Sequence, residues 1–139
     1  MFRQMTESET RFLLASGRVG RLGCIFEGAP YVVPVSYIFH DDRVYIHSMP
    51  GRKIAALRSN PRACLQVDEI RDEYQWRSAI AFGDYHEVVE SPERDRALSD
   101  LLKRFPHLTP ADSLAAPIGA SPVVVFYIQT TQLSGVGEW

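Results

Sequence analysis

Apolar and polar positions alternate along this chain with two periods, and short runs of turn-forming residues mark where one gives way to the other. Near the start, Thr6-Glu7-Ser8-Glu9 has the form of a capping box, in which the Thr6 hydroxyl accepts from the Glu9 amide and the Glu9 carboxylate reaches back. A short amphipathic helix over residues 7–16 is predicted, with Gly17 as a left-handed stop. Residues 18–26 then read as a strand, and Glu27-Gly28-Ala29-Pro30 as a turn. Residues 31–39 are rich in Val, Ile, Tyr and Phe, and His40-Asp41-Asp42-Arg43 is a second turn. Residues 44–48 alternate, with Val44, Ile46 and Ser48 on one face and Tyr45 and His47 on the other. Strands joined in this way by tight turns make an antiparallel meander. Pro34 sits inside the second strand. Proline cannot donate to a ladder, so it marks an edge, a bulge or a gap where a backbone can meet a ligand.

The second half continues in the same manner. A helix over residues 52–59 carries Ile54 and Leu57 on one face and ends at Asn60-Pro61. Residues 63–68 read as a strand, and residues 74–89 as a long or paired strand region with a bulge at Gly83. Ser91-Pro92-Glu93 opens a third helix, along which Leu98, Leu101, Leu102 and Phe105 recur at helical spacing. Residues 106–121 hold Pro106, Pro110 and Pro117 among small residues and read as a long loop, either a lid or a disordered segment. Residues 123–130 are a last apolar strand. Six or so antiparallel strands with peripheral helices predict a mainly β molecule, a small β-barrel in a single domain spanning residues 1–139.

Composition narrows the classes of function. The 139 residues, 45% of them hydrophobic, suffice for one core, which buries roughly 68–70% of the unfolded surface at this size. The 15 basic and 17 acidic residues nearly cancel, leaving a formal net charge of −2 and no field that favours nucleic acid. The longest apolar stretch, residues 123–128, is strand-sized, far below the ~18 residues of a membrane span. The first residues lack the apolar core of a signal peptide, so a cytoplasmic protein is expected. Cys24 and Cys64 lie far apart in apolar strands and read as buried reduced thiols rather than a disulfide or zinc framework. His40 beside Asp41 and Asp42 reads as a solvated turn, and no metal site is expected.

The stretch His47-Ser48-Met49-Pro50-Gly51-Arg52-Lys53 is where chemistry concentrates. A strand ends at Ser48 and a helix begins near Arg52. Free amides and the positive dipole end at a helix N-terminus suit phosphate, Arg52 can fork onto its oxygens, and Lys53 adds a point charge. The same two cations also read as a solvated helix face, although the dipole disfavours cations there. His47 titrates near neutrality and is a candidate proton donor, against the reading of a strand histidine that only packs. Tyr37 and Tyr45 either stack on a ring or fill strand faces. Trp76, flanked by Gln75 and Arg77, suits an interface anchor or an ordinary covering aromatic. His86 has no local partner, and Trp139 reads as a frayed end.

Taken together, Gly20-Arg21-Leu22, Tyr31-Val32-Val33-Pro34-Val35-Ser36-Tyr37, Val44-Tyr45-Ile46-His47-Ser48, Gly51-Arg52-Lys53 and Asn60-Pro61-Arg62-Ala63-Cys64 fall in a recognisable order and spacing. The chain in this respect resembles the pyridoxamine 5′-phosphate oxidase-like split barrels that bind FMN, and especially their nitroimidazole-resistance branch. The resemblance covers residues 6–90 closely and the remainder by element order. It implies a six-stranded antiparallel split barrel of Greek-key topology, a homodimer, and FMN at the subunit interface. Pro34, Val35, Ser36 and Tyr37 would then line the isoalloxazine, with backbone hydrogen bonds to the ring. His47 and Ser48 would border the ribityl chain and phosphate, Arg52 and Lys53 would hold the phosphate, and Trp76 would serve the interface and cover the partner's flavin; similar tails fold over a neighbouring flavin, which is the alternative to a frayed end for Trp139. The implied activity is transfer of electrons or hydride from reduced flavin to a small organic acceptor, such as a nitroaromatic. The chain closes on Gly135-Val136-Gly137-Glu138-Trp139 without the basic end of the oxidase proper, so pyridoxamine phosphate is not the expected substrate. Related barrels take haem, for which His47 is the nearest axial ligand, or deazaflavin, and a flavin-binding sensory dimer without turnover is the non-enzymatic reading. The electron donor and the acceptor stay open.

Overall fold

The computed structural model describes residues 1–105 and 123–139, and the loop expected over residues 106–121 lies outside them. In chain order the elements are β1 (Phe2–Gln4), α1 (Glu7–Ser16), β2 (Val19–Phe26), β3 (Ala29–Ser36), β4 (Ile38–His40), β5 (Arg43–Ser48), α2 (Arg52–Ser59), β6 (Arg62–Asp72), β7 (Gln75–Glu87), α3 (Pro92–Arg104) and β8 (Val124–Glu138). All strand pairs are antiparallel, in the order β3-β2-β6-β7-β8-β5-β4, with β1 added to β8. Since β1 and β4 are three-residue pieces, the expected architecture of six long strands holds. From β5 the chain crosses through α2 to β6, and the β6-β7-β8 run returns so that β8 lies beside β5, which is a Greek key.

The two hairpin turns follow from backbone chemistry. Glu27 and Gly28 have φ of 51° and 79°, and Asp41 and Asp42 have 50° and 60°. Two consecutive positive φ values make the type I′ turn whose twist matches the strands it joins, and aspartate tolerates that region. Between these turns the expected three-strand meander does not form. The run read as one strand over residues 31–39 is interrupted at Tyr37: among the described residues β3 pairs only with β2, and β4 pairs only with β5. The two ends of the sheet are therefore consecutive in the chain and joined at Tyr37 rather than by a ladder. The barrel is split there.

Tyr37 is fully buried, and its hydroxyl donates to the Leu14 carbonyl at 2.6 Å. Around it the interior is filled from both sides of the barrel by Leu22, Leu65, Ile46 and Phe126, with Leu14 of α1 and Leu57 of α2 packed against them. The capping box at α1 is present, with both the Thr6–Glu9 bonds made. Gly17 is not left-handed: it has φ −70° and ψ 156°, extended backbone. Glycine is needed there for space, since a Cβ would lie 2.3 Å from the Tyr37 hydroxyl. The bulge expected at Gly83 lies opposite it, on β8, where Thr131 is the extra residue between Gln132 and Thr130. β8 runs eight residues beyond the predicted end. The α3 stripe is thinly used, with Leu101 buried and Leu102 exposed. Its last turn is tied down by Arg104 donating to the Gly17 carbonyl and Arg18 donating to the Arg104 carbonyl, each at 2.7 Å. Among the described residues no helix is long and apolar enough to cross a membrane.

Candidate functional site

The split has two walls. One is the free edge of β3. The Tyr37 amide donates to the Arg18 carbonyl at 3.1 Å, and this fixes the alternation of the β2–β3 ladder. Val35, Val33 and Tyr31 turn their main-chain groups to β2, while Pro30, Val32, Pro34 and Ser36 turn theirs to the unpaired edge. The other wall is the last part of β5, which β4 pairs only through Arg43–Tyr45. His47 stands there, half-buried on the outer face with Tyr45, while Val44, Ile46 and Ser48 face inward.

α2 closes the mouth of the split, where β5 ends and β3 begins. The Arg52 guanidinium lies 6.0 Å from the ring centre of Phe26, at the β2–β3 turn. The N-terminus of α2 differs from the other two. α1 has its capping box and two acids in the first turn, and α3 has Ser91 as cap with Glu93 and Asp95. α2 begins at Gly51 with no side-chain cap, no acid in its first turn, and Arg52 and Lys53 instead. Neither cation has a carboxylate partner among the described residues, whereas Arg3, Arg11, Arg21, Arg43 and Arg58 each have one. An uncapped set of amides with two unneutralised cations is suited to an anion with several oxygens.

Several candidates are placed otherwise than expected. The Tyr37 ring is in the core, burial pushes its phenol up to about 12, and its amide is engaged, so neither group can line a ligand. Val35 is also a core residue with its main chain turned to β2. Ser48 is buried, and its hydroxyl donates to the Met49 carbonyl at 2.7 Å, so that proton is not offered to a phosphate. In each case strand alternation assigns the residue to the inner face. Pro34 and Ser36 remain on the edge, His47 on the outer face, and Arg52 and Lys53 at the mouth. Trp76 is elsewhere: it pairs with Glu138 near the far end of β8, whereas His47 pairs with Val125 at the near end. Within one chain the structure does not bring Trp76 to the split.

The cysteines, His86 and the anchor of α2 are placed by local contacts. Cys64 faces outward beside Gly23 and is half-buried rather than fully so. Burial raises both cysteine thiols, which keeps them protonated at neutral pH and poorly nucleophilic. His86 does have a partner, stacking on Tyr127 across the ladder with ring centres 5.2 Å apart. Sequence reasoning missed an anchor for α2. Arg58 donates to both Glu87 oxygens at 2.8 and 3.1 Å, and the Tyr85 hydroxyl donates to one of them at 2.6 Å. Arg58 and then Tyr85 hold the Glu87 carboxyl below its usual range. The signal was slight, since Tyr85 and Glu87 sit on one strand face two residues apart.

Comparison with known proteins gives consistent results. The family model described as pyridoxamine 5′-phosphate oxidase matches residues 6–135. An uncharacterized protein of Rhizobium meliloti is 34% identical over 140 residues, covering 96% of this chain and 93% of its own. A solved FAD-binding protein from Mesorhizobium loti is 36% identical with a TM-score of 0.83, covering 100% of this chain and 99% of its own. A proposed 5-nitroimidazole antibiotic resistance protein from Bacteroides thetaiotaomicron is 20% identical with a TM-score of 0.76, covering 99% and 87%.

Proposed function

Because the chain belongs to the pyridoxamine 5′-phosphate oxidase family, we propose that it is a flavin-dependent oxidoreductase acting as a homodimer on a small organic acceptor. The observation that carries this reading is the α2 N-terminus, uncapped and carrying Arg52 and Lys53, which have no carboxylate partner among the described residues, at the mouth of the split. Flavin, when bound, supplies the redox chemistry, through a ring that takes up and releases electrons as hydride or singly. The chain's own residues bind and orient it. Arg52, Lys53 and the first α2 amides hold the phosphate. The outward carbonyls of Pro34 and Ser36 and the amide of Ser36 meet the polar edge of a planar ring. His47 stands on the opposite wall, where its imidazole can hold a proton near the ring. In the homodimer a second copy sets its far end against the split of the first, and that is how Trp76 would reach the site.

Two flavins fit this reading. FMN is the simpler occupant, since one phosphate corner is visible. FAD is favoured by the Mesorhizobium loti protein, which is 36% identical and FAD-binding. The test is to purify the protein, record its visible spectrum, and titrate the apoprotein with FMN and FAD. Absence of flavin bands together with no uptake of either flavin overturns the proposal, and a Soret band on haem addition points to the rival ligand. Replacing Arg52 and Lys53 together by Ala should weaken flavin binding by roughly a hundredfold, from two lost charge-assisted contacts. Unchanged affinity refutes the phosphate assignment.

A further inference from the structure

Arginines brace more than one part of this molecule. Arg3 and Arg77 cover the Trp139 indole, with guanidinium carbons 3.5 and 4.3 Å from its ring centre, so that end is not frayed. Arg58 braces an element that bears on the site. It comes from the last turn of α2 and donates to the two Glu87 oxygens at 2.8 and 3.1 Å. The Tyr85 hydroxyl donates to the same carboxylate at 2.6 Å. The Tyr85 ring in turn packs on Phe126 of the core, with ring centres 5.0 Å apart. The Tyr85 amide also donates to the Pro61 carbonyl at 2.8 Å, just beyond the C-terminus of α2. A path of directional contacts therefore runs from the barrel core through Tyr85 and Glu87 to Arg58.

The rest of α2 is held less specifically. Ile54, Ala56 and Leu57 are buried, but the first turn has no side-chain cap. Apolar burial is non-directional, so it keeps a helix against the barrel without fixing its tilt. An arginine fork on a carboxylate does fix direction. Arg52 and Arg58 are six residues apart. That is about 9 Å along a helix axis, so a tilt of about 10° at the last turn moves the first turn by about 1.5 Å. Hydrogen bonds to an anion tolerate only about 0.5 Å. We propose that Glu87, held by Tyr85, is a positioning residue for the phosphate of the bound flavin. It acts through Arg58 on the aim of α2, and so on Arg52, Lys53 and the first-turn amides. The proposal rests on the flavin reading of the split and adds to it a residue that does not touch the ligand.

FMN and riboflavin share a ring and differ in the phosphate, so their affinities separate the two ends of the site. Each is titrated into the full apoprotein, with quenching of flavin fluorescence as the readout. Glu87→Gln and Arg58→Gln should each weaken FMN binding by up to about fivefold. Binding pulls α2 back into place, so the loss is bounded by the worth of a partly exposed pair. Riboflavin affinity should not change. The two substitutions alter the local charge in opposite directions. If Arg58 acted only as a charge, Glu87→Gln would bind FMN more tightly and Arg58→Gln less tightly, and that outcome overturns the proposal. An equal loss for riboflavin marks a general loosening of the fold and also overturns it. The side chains of Arg58 and Glu87 are 53% and 35% exposed, so neither variant should lose the fold. A parent that binds neither flavin overturns the flavin reading itself. A parent that binds FMN, with both variants matching it, overturns this proposal alone.

Discussion

The Leu14 carbonyl that accepts from Tyr37 lies in the last turn of α1, where no helical amide can reach it. One phenol therefore satisfies a helix end, fills the core and stands at the point where the barrel splits. Tyr37→Phe should cost about 1–3 kcal/mol, the range for leaving a buried acceptor unpaired, read from urea unfolding at neutral pH. The pH dependence follows from its direction of shift. The folded phenol is pushed up to about 12 by burial, so it resists deprotonation in the folded state. Its contribution is present below the ordinary tyrosine pKa of ~10 and is lost as pH rises from there toward the folded value. The variant should show a shallower fall in stability over that range, though Tyr85, shifted in the same direction, keeps part of it. At this scale the sequence was legible where one residue has one chemistry, as at the Thr6–Glu9 box or the cations of α2. It was not legible where facing decides the role. Tyr37, Val35 and Ser48 sit in the motif that suggested a ligand, yet strand alternation turns all three inward.

α2 works as an arm held at both ends of its purpose. Its first turn presents Arg52 and Lys53, and its last turn is fixed to β7 by the Arg58–Glu87 pair and the Tyr85 hydroxyl. The pair is partly exposed, so Glu87→Gln should cost under about 1 kcal/mol at pH 7. Glu87 has its folded pKa lowered, so its contribution is present above the unfolded carboxylate value of ~4.3 and is lost as pH falls through the folded value. Urea midpoints at pH 7 and pH 3 should therefore differ less in the variant than in the parent. Elements were readable in the sequence wherever apolar periodicity met punctuation, and α1, α2 and both hairpin turns fall where expected. β8 was cut short because Thr130-Thr131-Gln132 and the glycines at 135 and 137 erase the alternation. The ladder to β7 carries the strand through them, and that partner is far away in sequence.

On the scale of the whole molecule, the N-terminus of α2 and Trp76 belong to opposite ends of the barrel. If two copies complete one site, flavin should be released on dilution at the concentration where the dimer dissociates. Flavin fluorescence and sedimentation measured on the same dilution series check this, and retention of flavin by a monomer refutes it. Pro30 and Pro34 bear on a different property. An unpaired strand edge is a template on which another chain can polymerise. Both prolines occupy positions whose amides would face outward, so half of the donors that a foreign strand requires are missing from β3. Replacing both by Thr should raise light scattering on storage while leaving the folded spectrum unchanged, and unaltered scattering counts against this. What remains along the edge is a row of carbonyls about 6.6 Å apart. A row of acceptors with every other donor removed can still meet a small planar guest, but it is a poor template for fibre growth.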